Sequence, residues 1–371
     1  MSINWWDYQY IFKARGGIIK DFGLIQERIK AQVLPFFSPQ IRRLLDNLSA
    51  DRLSRLEEIR LRLGHPICLQ LTGEEVFINA SGVITVDHEH GYCAVQDDIS
   101  RTLAAVSGNS VYALEEELKR GYITVKGGHR VGLAGKTIIE NGQVKTMNDI
   151  SSLVFRVARE VPGCADEVIK RITGDDGLPL NTLIISPPRC GKTTVLRDLA
   201  RQYSNGVRGT TANVVIIDER SELAGCCEGK PQLDVGPRTD VLEGCPKAIG
   251  IVMAIRALAP QIVITDEVGR SEDVEAIQEC LNAGVRIITS AHGSGLEDVS
   301  RRPVMQEILR QDSFQTVVIM SRRAGPSTIE KIIRLRNTGG SNDKQTGWSR
   351  FGNWNSGLDR PAKSILTDPA N

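Results

Sequence analysis

The stretch SPPRCGKTT, at residues 186–194, carries the strongest chemical signal in this sequence. It follows an apolar run at residues 183–185 and leads into a run with helical spacing. A glycine beside a lysine and a threonine, between a strand and a helix, is typical of a loop whose backbone N–H groups cradle phosphates. The residues predicted to bind a nucleotide are Ser186, Pro187, Pro188, Arg189, Cys190, Gly191, Lys192, Thr193 and Thr194.

Two side chains of this loop have predicted roles in the chemistry. Lys192 would reach the β- and γ-phosphates, and the Thr193 hydroxyl would take one coordination position of Mg²⁺. The consensus G-x-x-x-x-G-K-[ST] has its first glycine where this chain has Ser186. That position opens the turn and does not contact the γ-phosphate, so we expect a small serine to be tolerated. A site that binds a nucleotide without hydrolysing it remains the alternative.

Acidic pairs end two further apolar runs. Asp266 and Glu267 end the run IVITDE, and Asp218 and Glu219 end the run VVIIDE. Hydrolysis of a nucleotide requires carboxylates that hold Mg²⁺ and polarise the attacking water. The aspartates are predicted to serve the metal and the glutamates to be catalytic, and the sequence leaves open which pair activates water.

A fourth apolar run, RIITSAH, carries Ser290 and His292 near its end. Polar side chains at a strand end can detect the γ-phosphate and report its loss. Ser290 is therefore predicted to be a sensor and His292 a catalytic residue. The alternative for a lone histidine is a structural role.

From residue 181 onwards, the four apolar runs alternate with segments of helical spacing. Continuous runs of valine and isoleucine are typical of parallel strands that are buried on both faces. The predicted fold is therefore α/β, with a P-loop domain of RecA- or AAA-like type built on a central parallel sheet. Ligands of such sheets bind at the carboxyl ends of the strands, so the four strand ends are expected to meet at one site.

The first half of the chain has a mixed pattern and is predicted to form a smaller α+β domain. Helical spacing covers residues 41–59 and 98–120, and the second segment stops at Gly121. Alternation across EIRLRLGHPICLQL predicts a hairpin, and Asn141-Gly142 predicts a tight turn. The predicted divisions are an N-terminal extension (1–30), an α+β domain (31–162), a linker (163–180), the P-loop domain (181–336) and a disordered tail (337–371).

Composition excludes several classes of protein. The formal net charge is +1, which provides no general basic field for nucleic acid or anionic lipid. No apolar stretch approaches the roughly 18 residues that span a bilayer, and the first residues do not resemble a secretory signal, so we expect a cytoplasmic protein. The eight cysteines include no C-x-x-C pair and are expected to be reduced thiols.

Four motifs, taken in order, resemble those of the type II and type IV secretion ATPases: S-x-x-x-x-G-K-T-T, I-I-D-E-R-S-E, A-P-Q-I-V-I-T-D-E-V-G-R and I-T-S-A-H-G-S. The resemblance is closer still to the stage III sporulation protein AA family of endospore-forming bacteria. There it also covers LEEIRLRLGHPICL, GYITVKGGHRVGLAGK and FQTVVIMSRRAGPSTIEKI, and extends over roughly residues 30–335.

This resemblance implies an ATPase that uses ATP and Mg²⁺, forms a homo-hexamer and works with membrane channel proteins of the sporulation engulfment complex. It implies that the protein powers or gates a secretion-like channel between mother cell and forespore, from the mother-cell cytoplasm and peripherally associated with the membrane through its partners. It also implies that arginines from the first domain or a neighbouring subunit complete the site. The candidates by position are Arg130, Arg156, Arg238, Arg256 and Arg270, for each of which an ordinary ion pair is the alternative.

Two other functions stay open on the sequence. One is a nucleotide-gated ring scaffold with little turnover, and the other is a P-loop ATPase that nucleic acid stimulates. The sequence contains neither a basic stripe with interleaved aromatic residues nor a recognisable nucleic-acid module, so no specific nucleic-acid partner is expected.

Overall fold

Two seven-stranded sheets organise residues 22–108, 115–207 and 209–335, which are the residues that the computed structural model describes. The predicted disordered tail and most of the predicted N-terminal extension lie outside these residues. Each sheet packs against its own cluster of buried apolar side chains, one within residues 29–155 and the other within residues 165–320. The domain bounds given above stay a prediction.

The first sheet is antiparallel throughout. Its strands are β1 (Leu56–Arg62), β2 (Cys68–Leu71), β3 (Glu74–Ile78), β4 (Ile84–Thr85), β5 (Tyr122–Val125), β6 (His129–Glu140) and β7 (Gln143–Arg156). They lie in the order β4-β3-β2-β1-β7-β6-β5. The predicted hairpin is present as β1 and β2, with Ile59 opposite Leu69. The tight turn between β6 and β7 has positive φ at Asn141 and Gly142, as an Asn-Gly hairpin turn requires.

The helices described in the first half are α1 (Phe22–Gln32), α2 (Pro39–Asp46), α3 (Ala50–Arg55), α4 (Gln96–Val106) and α5 (Glu115–Arg120). The helical spacing predicted for residues 41–59 covers α2, α3 and the first residues of β1, so the helical interpretation is wrong only from Leu56 onwards. The Ser49 hydroxyl accepts a hydrogen bond from Arg52 N and so caps the start of α3. This helix ends at Arg55, and β1 begins at the next residue, Leu56. This strand contains a bulge between Leu56 and Glu58, so Leu56 and Ile59 are both buried although they are three residues apart.

The continuous helix predicted for residues 98–120 is also wrong, since α4 ends at Val106. Gly108 follows with φ of 58°, a left-handed conformation that ends helices. The Asp98 carboxylate accepts a hydrogen bond from Val95 N and fixes the start of α4. The predicted end is correct, because α5 stops at Arg120 and Gly121 has φ of 76°.

The second sheet confirms the predicted α/β class. Its strands are β8 (Thr182–Ser186), β9 (Val214–Asp218), β10 (Thr239–Glu243), β11 (Ile262–Thr265), β12 (Arg286–His292), β13 (Thr316–Ser321) and β14 (Thr328–Arg334). They lie in the order β10-β9-β11-β12-β8-β13-β14, and all neighbours are parallel except β13 and β14. All residues of β8, β9 and β11 are buried, which explains why these strands read as continuous apolar runs.

Helices alternate with the strands of the second sheet along the chain, except that β9 leads to β10 and β13 leads to β14 without a helix. The helices are α6 (Asp166–Ile172), α7 (Lys192–Asn205), α8 (Lys247–Leu258), α9 (Ser271–Asn282), α10 (Leu296–Ser300) and α11 (Pro303–Arg310). None of the described helices in either half combines the length and apolar character that a membrane span requires.

Polar contacts join the two halves of the described chain. The Glu160 carboxylate binds Arg28 Nη1 at 2.9 Å and accepts a hydrogen bond from Asp234 N at 2.5 Å. Gly127 N, in the β5–β6 turn, donates to Gln232 Oε1 at 3.1 Å. The loop that follows β9 is therefore held against the first sheet.

Candidate active site

The loop between β8 and α7 has the backbone geometry of an anion cradle. Arg189 and Gly191 both have positive φ, 59° and 87°, so the chain reverses sharply before α7 begins at Lys192. No described group accepts a hydrogen bond from the backbone N–H groups of residues 189–194, and α7 has no side-chain cap. Uncapped N–H groups at a helix start favour a phosphate ligand. Ser186 has no positive φ, so this position does not require the glycine of the consensus.

Lys192 lies folded back under this loop. Its ammonium donates to Ser186 O at 3.1 Å and Pro187 O at 3.2 Å, and it lies 3.3 Å from Ser186 Oγ and 2.8 Å from His292 Nδ1. Burial lowers the pKa of Lys192, and the charge of Glu267 opposes this shift. The lysine is therefore placed beneath the cradle with its donors engaged by the protein.

Glu267 has both carboxylate oxygens bound. Oε1 lies 2.5 Å from His292 Nε2, and Oε2 lies 2.9 Å from Arg220 Nη1. The Ser290 hydroxyl accepts a hydrogen bond from Glu267 N at 3.1 Å, and Val268 N donates to Ser290 O. The structure thus brings together Lys192, His292, Glu267 and Ser290, which the sequence placed on three different segments.

Asp266 has a buried carboxyl group to which no described residue donates a hydrogen bond. Burial raises the pKa of Asp266 to about 7, and the positive charge of Lys247 only partly offsets this. A divalent cation would remove this penalty, because an adjacent positive charge favours the ionised carboxylate. Asp266 therefore fits the metal role that the sequence predicts.

Asp218 is fully buried and its carboxylate is already engaged. It accepts hydrogen bonds from the backbone of Glu222 at 2.8 Å, Leu223 at 3.0 Å and Ala224 at 2.8 Å. Burial raises the pKa of Asp218, and these three amides act against that shift. These contacts show that Asp218 fixes the conformation of the loop after β9. Its role as a metal ligand stays a prediction.

Glu219 is paired with two cations. The Lys247 ammonium lies 2.5 Å from Oε2, and Arg270 Nη1 lies 3.5 Å from Oε1. Burial opposes ionisation, but the Lys247 hydrogen bond and the charges of Lys247, Arg270 and Arg220 together lower the pKa of Glu219. These contacts favour the ionised form of Glu219, and the two acidic pairs stand at the ends of neighbouring strands because β9 pairs with β11.

Magnesium does not require a protein cage of carboxylates. Among the described residues, no group of three or more His, Cys, Asp and Glu side chains is arranged to hold a metal ion. Mg²⁺ in nucleotide sites is bound mainly by phosphates and water, with one or two protein ligands. Thr193, in the first turn of α7, and Asp266 would supply those ligands.

The five candidate arginines fall into two groups. Three are engaged within this chain: Arg130 with Glu222, Arg238 with Ser204 O, and Arg270 with Glu219. Arg156 and Arg256 are exposed, and no described residue pairs with them. These two are the arginines most available to a neighbouring molecule.

Three residues at the site were missed by the sequence reasoning. Arg220 binds Glu267, Lys247 binds Glu219, and Ser327 N donates to Cys190 O at 2.9 Å from the β13–β14 turn. Arg220 lies in the motif I-I-D-E-R-S-E, but the spacing of that motif does not indicate which carboxylate the Arg220 guanidinium contacts. The turn containing Ser327 gave no chemical signal in the sequence.

Comparisons with known proteins place this chain in a family. The family model for sporulation stage III, protein AA matches residues 27–339. The stage III sporulation protein AA of Bacillus subtilis (strain 168) is 41% identical over 303 residues, which covers 81% of this chain and 93% of that protein.

Among solved structures, this chain is similar to the ATPase DotB from two bacteria. The Legionella pneumophila protein is 15% identical, with a TM-score of 0.46 over 71% of this chain and 72% of that chain. The Yersinia pseudotuberculosis protein is 14% identical, with a TM-score of 0.48 over 76% of each chain.

Proposed function

The chain belongs to the sporulation stage III, protein AA family, and on that premise we propose that it is an ATP hydrolase that acts in sporulation. The observation that carries the proposal is the position of Lys192 and Glu267. Lys192 follows β8 and Glu267 follows β11, and they contact opposite ring nitrogens of His292 on β12, the strand between those two. The loop beside them has backbone N–H groups with no acceptor among the described residues.

The loop residues would bind the substrate. The backbone N–H groups of residues 189–194 face the phosphates, and the Lys192 ammonium turns from its carbonyl acceptors towards the β- and γ-phosphates. Thr193 and Asp266 would hold Mg²⁺, which when bound neutralises charge on the phosphoryl oxygens. The remaining chemistry is positioning and proton transfer by residues of this chain.

Glu267 would activate the attacking water. Its carboxylate accepts a proton from that water while the water oxygen bonds to the γ-phosphorus. The bond between the γ-phosphorus and the bridging oxygen breaks, and ADP leaves with that electron pair. Glu219 remains the alternative base, although its carboxylate is neutralised by Lys247 and Arg270.

The proposed assembly is a homo-hexamer that works with membrane channel proteins of the sporulation engulfment complex. Exposed Arg156 and Arg256 are available to complete the site of a neighbouring subunit. The proposed place of action is the mother-cell cytoplasm, with membrane attachment through those partners. Hydrolysis would power or gate a channel between mother cell and forespore.

The test is steady-state ATP hydrolysis by the purified protein over a range of protein concentrations. Glu267→Gln is assayed beside it, with Glu275→Gln on the exposed face of α9 as the matched control. Specific activity that rises with concentration, is lost in Glu267→Gln and is retained in Glu275→Gln supports an ATPase whose site is completed between subunits. Turnover that does not respond to Glu267→Gln would count against the assigned base.

A nucleotide-gated scaffold with little turnover is the second candidate. It is favoured by one observation: the donors of Lys192 and both oxygens of Glu267 are occupied by protein groups. Tight ATP binding without turnover, in the presence of Mg²⁺ and at all protein concentrations, would favour this function.

A further inference from the structure

The carboxylate of Glu267 is bound on both sides by nitrogen donors. His292 lies at Oε1 and Arg220 at Oε2, at 2.5 and 2.9 Å. Each carboxylate oxygen can accept two hydrogen bonds, so these contacts leave acceptor positions open, but together they fix the direction in which the carboxylate points. Turning the carboxylate towards a water at the phosphates would break at least one of the two contacts, so the arrangement describes a resting glutamate.

The direction of each hydrogen bond at His292 follows from its neighbours. The Lys192 ammonium can only donate, so His292 Nδ1 accepts from it. The proton of a neutral imidazole then lies on Nε2, which donates to Glu267 Oε1. When Lys192 turns towards a phosphate, His292 loses this partner and is free to rotate away from Glu267.

Arg220 is then the remaining partner of Glu267. Its backbone is fixed, because Asp218 binds three amides of the same loop and the Ser221 hydroxyl donates to Glu243 Oε1 at 2.6 Å. Its side chain is 52% exposed, so the guanidinium is solvated although the backbone that carries it is fixed. No described residue other than Glu267 pairs with the Arg220 guanidinium.

The backbone of Glu267 is held independently of its side chain. Its φ is +43°, a left-handed conformation that is strained for a residue other than glycine. The two hydrogen bonds of this strand end to Ser290 maintain it. Release of Glu267 is therefore a side-chain rotation, which the Arg220 contact opposes directly.

We propose that Arg220 is a positioning residue that holds Glu267 in a resting conformation until Lys192 engages phosphate and His292 releases its side of the carboxylate. This inference rests on the proposed ATP hydrolysis and adds a control point to the same site. Because the Arg220–Glu267 ion pair is half-exposed, we expect its loss to raise kcat for ATP hydrolysis by about two- to fivefold.

The test compares kcat and KM for ATP of the full-length wild type with those of Arg220→Ala, Arg220→Gln and Arg220→Lys. Arg310→Ala, an exposed arginine on α11, is the matched control. We expect kcat to rise about two- to fivefold in the Ala and Gln variants with KM within about a factor of two, while the Lys variant stays close to the wild type. The double variant Arg220→Ala/Glu267→Gln should be inactive, which shows that the gain passes through Glu267.

Three outcomes would overturn the inference. If kcat in Arg220→Ala and Arg220→Gln is unchanged, Arg220 does not restrain Glu267. If kcat falls while the wild type is active, Arg220 contacts substrate. If kcat rises in Arg220→Ala but the double variant Arg220→Ala/Glu267→Gln stays active, the gain does not pass through Glu267. Failure of the proposed function has a separate sign, namely that the wild type itself shows no turnover, whether or not it binds ATP.

Discussion

Arg130 Nη1, on β6 of the first sheet, lies 2.5 Å from Glu222 Oε1, in the loop after β9 of the second sheet. The same guanidinium lies 3.5 Å above the centre of the Tyr122 ring. Glu222 N also donates to Asp218, so the loop that carries Glu219 and Arg220 is held from both sheets. Arg130, named above as a candidate to act on a neighbouring subunit, is thus engaged within its own chain.

A double-mutant cycle with Arg130→Gln and Glu222→Gln tests this contact. Both side chains are partly exposed, so we expect a coupling free energy of about 0.5–1 kcal/mol in urea unfolding. Arg130→Gln alone should cost more than Glu222→Gln, because it also removes the cation–π contact with Tyr122. The exposed Arg42→Gln serves as the control. Strictly additive effects of the two changes would show that the pair contributes nothing to stability.

The ends of the buried strands could be predicted from the sequence, and the loop contacts could not. Asp218, Asp266 and His292 end or directly follow the runs VVII, IVIT and RIITSA, whose valine and isoleucine content predicts buried strands. The Arg220–Glu267 contact depends on positive φ at Ser221 and Glu267, and neither residue type indicates such a conformation. The directions of the side chains in these turns therefore could not be predicted from the sequence.

The errors in the first half have a similar origin. Apolar residues at 53, 56 and 59 have helical spacing, but the bulge in β1 buries Leu56 and Ile59 together within a strand. A bulge adds one residue to a strand and so changes the period of burial locally. Its position depends on pairing with β2, which a local pattern does not contain.

Lys192→Ala should abolish tight nucleotide binding while the fold is retained. The Lys192 ammonium lies against the carbonyl oxygens of the loop, and charge-assisted contacts to phosphate are about twice as strong as neutral ones. We expect the Kd of a fluorescent ATP analogue to rise at least about tenfold. Lys136→Ala, an exposed lysine on β6, should bind as the wild type does. A normal Kd for Lys192→Ala would place the nucleotide elsewhere.

His129 should make stability depend on pH. Its Nδ1 accepts a hydrogen bond from Ala158 N, and its Nε2 is buried without a partner among the described residues. Burial lowers the pKa of His129 from 6.5 to about 3, and the charge of Arg28 adds to the shift. Between these two values the unfolded chain binds a proton that the folded chain does not. Stability is therefore complete above pH 6.5 and is lost as the pH falls towards 3.

The measurement is the free energy of unfolding in urea from pH 7 to pH 4, for the wild type and His129→Gln. The wild type should lose up to about 1.4 kcal/mol per pH unit more than the variant below pH 6.5, since carboxylates titrate in both. His65→Gln, at an exposed histidine, should keep the wild-type slope. Parallel curves for the wild type and His129→Gln would show that His129 is protonated in the folded state.

Gly191→Ala should damage both the fold and the site, because two constraints meet at this residue. Its φ is +87°, and a Cβ atom there would lie 2.6 Å from Ser327 Oγ. Gly142→Ala separates the two effects, since Gly142 has φ of +75° with no atom within 4 Å of its added Cβ, in the distant β6–β7 turn. The left-handed conformation alone costs about 1–2 kcal/mol in each variant. We expect Gly191→Ala to lower the free energy of unfolding by more than Gly142→Ala and to weaken ATP binding, while Gly142→Ala binds normally.

Equal losses of stability with unchanged binding would mean that the β13–β14 turn moves aside freely and that Ser327 does not fix the phosphate loop.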